Sequence, residues 1–179
     1  MTESRNRVTV FTYKEGLLSR FAHDLRLKCE RFELVLSGTA LRGRFELGSL
    51  RVEGAMQSGR LALGVLSQSD LGKIERTMAD DVLESGRFRE AVLEATVVEP
   101  LGEAAIEGRL ELHGRTLPLP RTRVRREQGM LLAELELVPS RWGIAPYRAL
   151  GGALKLQDRI TVRVELVAAE PAAELRWAP

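Results

Sequence analysis

Ile106-Glu-Gly-Arg-Leu-Glu-Leu-His-Gly-Arg-Thr-Leu-Pro-Leu-Pro120 alternates apolar and charged residues until it meets a His-Gly pair. Ile106, Leu110 and Leu112 fall on one side of an extended chain, and Glu107, Arg109 and Glu111 on the other. That period of two marks a strand with one face in a core and one in water. The His113-Gly114 pair then supplies the residue types of a tight turn.

The same pattern recurs outward in both directions. In His23–Cys29, His23, Leu25, Leu27 and Cys29 oppose Asp24, Arg26 and Lys28. In Arg60–Val65 the apolar set is Leu61, Leu63 and Val65. Leu131, Ala133, Leu135 and Leu137 oppose Leu132, Glu134 and Glu136, and Ile160, Val162, Val164 and Leu166 oppose Thr161, Arg163 and Glu165. Glycine-containing breaks separate such runs at Ser37-Gly38, Glu53-Gly54, Ser58-Gly59, Leu101-Gly102, His113-Gly114 and Gln128-Gly129. Short breaks without helical crossovers favour an antiparallel barrel or sandwich over a parallel sheet.

One segment follows a different period. Leu71, Ile74, Met78 and Val82 recur at three- and four-residue spacing, which predicts an amphipathic helix over about 69–85. Ser69 or Asp70 is placed to cap its start and Gly86 to end it. Its apolar stripe must cover the mouth of a barrel or the rim of a sheet.

Bulk properties narrow the function. The 179 residues, 44% of them apolar, suit one domain, expected over 1–168 with a tail at 169–179. Lys and Arg (27) nearly cancel Asp and Glu (25), so a net charge of +2 makes no field to gather nucleic acid. A single cysteine, Cys29, forms no internal disulfide, and the polar beginning of the chain lacks the apolar segment of a secretory signal; the cytoplasm is the expected compartment. No run approaches the roughly 20 apolar residues of a spanning helix.

Few residues carry chemistry. His23 and Asp24 are adjacent, and neighbours in a strand point to opposite faces, so they cannot orient each other as a dyad. His23 and Cys29 share a face but stand roughly 20 Å apart along a strand, too far for one metal. A metal or hydrolytic site would need the fold to bring His23 to His113. His23 otherwise sits on the apolar face at the start of its strand, as a core histidine or as a contact for the polar end of a ligand. Arg121, Arg123 and Arg125 share a strand face without interleaved aromatics, the pattern of a solvated outer surface. Trp142 in Trp-Gly-Ile-Ala-Pro is suited to plug the base of a barrel or to orient a ligand head. No phosphate loop, nucleophile elbow or metalloprotease helix is present, so neither catalysis nor a cofactor is expected.

The order of these pieces resembles the YceI-like family, also called polyisoprenoid-binding proteins. GLLSRFAHDLRL (16–27) comes first, followed by MADDVLESGRF (78–88), IEGRLELHGRTLPLP (106–120) and SRWGI (140–144) ahead of QDRITV (157–162). The resemblance implies a lipocalin-like antiparallel barrel of about eight strands with the helix near its mouth. It also implies non-catalytic binding of an isoprenoid, quinone or related lipid in an apolar lumen, often by a homodimer. The residues expected to line that lumen are His23, Leu25, Leu27, Leu61, Leu63, Leu110, Leu112, Leu135, Trp142 and Val162, with Ile74 and Met78 as a lid. The alternative is a barrel filled by its own side chains that serves as a protein-interaction module.

Overall fold

The computed structural model describes residues 6–15, 23–99 and 103–167. Residues 16–22, the Leu101-Gly102 break and the tail expected at 169–179 lie outside the described residues. Strand β1 (Arg7–Glu15) is followed by β2 (Asp24–Cys29), β3 (Phe32–Ser37), β4 (Ala40–Glu46), β5 (Leu50–Gln57) and β6 (Arg60–Ala62). Helix α1 (Gln68–Thr77) leads to β7 (Glu90–Val98), β8 (Ala105–Leu112), β9 (Arg115–Pro118), β10 (Thr122–Glu127) and β11 (Met130–Leu137). The two-residue β12 (Arg148–Ala149) and the long β13 (Leu154–Val167) complete the described elements.

All pairings are antiparallel, in the order β3-β4-β7-β8-β10-β11-β13-β1-β2-β5-β6, with β9 on β8 and β12 on β13. The sheet curls strongly into a half-barrel, as the alternation predicts. Among the described residues it holds 13 strands where about eight are expected. The excess has a physical origin. One ribbon turns a corner at Glu30-Arg31 and Leu47–Ser49, which divides it into the pairs β2/β5 and β3/β4, and β6, β9 and β12 are short additions. Buried Ser49 ties that corner: its hydroxyl donates to the Glu46 carbonyl at 2.7 Å and accepts the Arg31 N–H at 3.0 Å.

Three of the expected breaks are two-residue hairpins with both residues at positive φ: Ser58-Gly59, His113-Gly114 and Gln128-Gly129. That geometry matches strand twist and favours glycine second. Glu53-Gly54 is a correction. Strand β5 runs through it as a bulge, because Arg26 pairs with Gly54 and Leu27 with Val52, leaving Glu53 over. Here the Val52 N–H donates to the Glu75 carboxylate of α1 at 2.9 Å, which clamps the helix to the sheet.

The helix is also adjusted at its ends. Its cap is Ser67, neither Ser69 nor Asp70, in a reciprocal capping box with Asp70. Hydrogen bonding to Ser67 lowers the Asp70 carboxyl below its ordinary pKa. After Thr77 the coil widens to a π turn over Met78–Val82, and the chain leaves it at Glu84, which has a φ of 45°, ahead of Gly86.

Across three strands Leu41 pairs with Ala95, and Ala95 with Gly108, so two small residues stand against each other. A Cβ on Gly108 would meet the Glu94 carbonyl oxygen and the Ala95 Cα and Cβ well inside van der Waals contact. Gly108→Ala is therefore expected to destabilise the fold by at least about 2 kcal/mol through overpacking; chemical denaturation measures it, and an unchanged midpoint refutes this tight pairing.

Candidate functional site

Register builds the site. Val10 of β1 pairs with Val162 on one side and Leu27 on the other; Leu27 in turn meets Val52, and Val162 meets Leu135. Two residues along, Ala55, Leu25, Thr12, Ile160 and Leu137 form a second rung across the same five strands. Alternation turns both rungs to one face, and the curl of the sheet wraps that face around a cavity of about 1000 Å³. That lies at the upper end of pockets that take small molecules.

The lining is dominated by leucine, valine, isoleucine and alanine. Along β13 it extends from Leu156 through Ile160, Val162 and Val164 to Leu166, about 33 Å at the usual strand rise. Ile74 of α1 and Met78 of the π turn that continues it pack with Leu25, Leu27 and Val52 and cover one side. Polar lining residues include Thr12, His23, Tyr147, Lys155 and Gln157 near the start of β2 and β13, Asp70, Lys73 and Thr77 at the helix, and Glu46, Glu99, Thr122 and Arg126 elsewhere around the wall.

Of the expected lumen residues, His23, Leu25, Leu27, Ile74, Met78, Leu110, Leu112, Leu135 and Val162 line this one cavity. Three do not. Strand β6 ends at Ala62, so the alternation through Leu63 is not realised; Leu63 points to solvent at 78% exposure and Leu61 lies against Gly54. Trp142 is 1% exposed and donates its indole N–H to the Leu110 carbonyl at 3.1 Å, behind the cavity wall. It packs with Leu47, Leu112, Leu137 and Ile144 as a plug, which removes it as a ligand-head contact. Val8, Val10 and Thr12 also line the cavity without being among the expected residues, although their spacing carries the same alternation in a short run beside a charged terminus.

The histidines stand apart in role. Asp24 accepts the Lys14 N–H at 2.8 Å, opposite the β1 bulge, and is thereby committed to the backbone. His113 occupies its turn with the ring 3.9 Å from that of Phe88 and Nε2 3.4 Å from Glu84, away from the cavity lining. Among the described residues no group of three or more His, Cys, Asp or Glu is arranged to hold a metal ion. The arginine run faces outward and is neutralised: Arg121 pairs with Glu107, Arg123 with Glu103 and Arg125 with Glu134. No helix among the described residues is long and apolar enough to cross a membrane.

A family model for the YceI-like domain matches residues 23–168. The chain belongs to the YceI-like family. Its fold is also that of BcnA from Burkholderia cenocepacia, whose crystal structure superposes with a TM-score of 0.60 over 92% of this chain and 97% of that one, at 12% identity. A comparison with curated protein sequences gives no match.

In this YceI-like barrel Cys29 lines the cavity at 4% exposure, and burial pushes its thiol up from the ordinary value. Alkylation needs the thiolate, so modification at pH 8 is expected to run at least about tenfold slower than for an exposed cysteine. Mass spectrometry of the iodoacetamide-treated folded protein measures it, and labelling as fast as in denaturant would refute the buried placement.

Proposed function

We propose that the protein binds a long apolar ligand, an isoprenoid, quinone or related lipid, in the barrel lumen and performs no chemistry on it. The observation that carries this reading is the size and lining of the cavity: about 1000 Å³ walled mainly by aliphatic side chains on β1–β5, β7, β8, β10, β11 and β13 and on the helix. Removing an apolar chain from water contributes ~25 cal/mol per Å², so a lining of this kind binds by area and tolerates variation in the chain. Membership of a family named for polyisoprenoid binding supports the same class of ligand. The alternative of a side-chain-filled barrel acting as an interaction module requires a packed interior, and the cavity volume counts against it.

The direct test is organic extraction of the purified protein with mass spectrometry, alongside native mass spectrometry of the intact complex. A stoichiometric long-chain lipid is expected. A clean protein mass that persists after incubation with a cell lipid extract would overturn the reading. Two substitutions locate the lumen: Leu135→Arg places a charge in the apolar wall, and Ala133→Phe fills it. Both are expected to fold and to lose lipid, by at least about tenfold in affinity for Ala133→Phe. Undiminished uptake in either folded variant would remove that position from the site.

A further inference from the structure

Among the described residues, two buried side-chain polar atoms lack a hydrogen-bond partner, Thr12 Oγ1 and His113 Nε2, and only Thr12 lines the cavity. Its position is informative. The inward residues of β1 run Val8, Val10, Thr12, and the rung that holds Thr12 is otherwise Ala55, Leu25, Ile160 and Leu137. Valine has the shape of threonine and would suit an apolar rung, so the hydroxyl is a liability unless something bonds to it. Other buried polar groups of the wall are served within the protein. The Thr122 hydroxyl donates to the Pro120 carbonyl, and the Cys29 thiol sits against the Arg31 carbonyl and the Ser49 hydroxyl.

We infer that Thr12 anchors the polar end of the ligand, that this end is an uncharged oxygen of a carbonyl or alcohol, and that the apolar chain runs from it along β13 toward Leu166. This rests on the lipid-binding reading. The neutrality follows from the charges around Thr12. Of the cavity-lining charges, Lys155 is paired with Glu15 at 3.1 Å, Asp70 is held by Ser67 with Lys73 beside it on the same helix, and Arg126 stands opposite Leu131, level with Leu166 at the far end of β13. Gln157 donates to the Lys14 carbonyl and accepts from Arg159. An anion at Thr12 would lie in an aliphatic rung without a dedicated cation. His23 lies on the same face two residues before Leu25, the partner of Thr12, within reach of the far side of a small head.

The test compares three probes of equal chain length, cetyl alcohol, palmitate and hexadecane, by displacement of a fluorescent lipid from the full-length wild type, Thr12→Val and Thr12→Ser. Thr12→Val is expected to weaken the alcohol five- to tenfold, about the loss of one hydrogen bond. Hexadecane should be unchanged, Thr12→Ser should retain the alcohol, and the ligand-free Thr12→Val protein should melt no lower than wild type. Equal alcohol affinity in wild type and Thr12→Val would overturn the anchor. Palmitate bound more tightly than the alcohol would overturn the uncharged head. A wild type that takes up none of the three overturns the lipid-binding reading itself, an outcome distinct from the other two.

Discussion

The ladder that holds β1 between β13 and β2 sets the inner face of the strands from β11 to β5. Because side chains alternate strictly along a strand, pairing Val10 with both Val162 and Leu27 commits the neighbouring strands to one inner face. A slip of one residue would turn Thr9, Phe11 and Tyr13 inward and expose the aliphatic rungs. The outer face resists that slip with its own contacts: Arg163 stacks over Phe11 and reaches Glu134, Arg159 stacks over Tyr13, and the Tyr13 hydroxyl bonds Thr161. Exposed pairs of this kind add little stability individually, but they distinguish one register from the next.

The stretches that mark the family turn out to build the frame. Ser140 of SRWGI bonds through both its N–H and its hydroxyl to Asp158 of QDRITV, which caps the short turn ending at Trp142. Likewise Phe88 and Glu84 of MADDVLESGRF meet His113 of the His-Gly hairpin, and Gly114 leaves room for the Phe88 ring. These contacts need particular side chains at particular places, which gives them a recognisable spelling. The wall of the cavity needs only aliphatic bulk at alternate positions, so many residues serve and none forms a motif. A search for motif residues therefore finds the frame contacts, while the lining residues inside the same stretches, such as Leu25, Leu110, Leu112 and Val162, show only as alternation.

Charge is arranged to keep the outside of the barrel even. Arg121, just before β10, meets Glu107, and Arg123 and Arg125 of β10 meet Glu103 and Glu134, while Arg109 and Glu94 pair across β7 and β8. What looks in the sequence like a basic strip is thus neutral where it stands, and the conspicuous unserved polar atom lies inside, at Thr12.

By itself the sequence determined the fold class, the hairpins with glycine second, the amphipathic helix and most of the inward set, since alternation and turn chemistry are local properties of the chain. Leu25, Leu27, Leu110, Leu112, Leu135 and Val162 were legible for that reason. Tertiary structure alone decided which of them share a cavity, and whether it is open or filled. It also ended β6 before Leu63, kept β5 running through Gly54, and placed Trp142 behind the wall. Period two says which residues lie on the same face of a strand; only the pairing, bulges and curl of the whole sheet say what that face encloses.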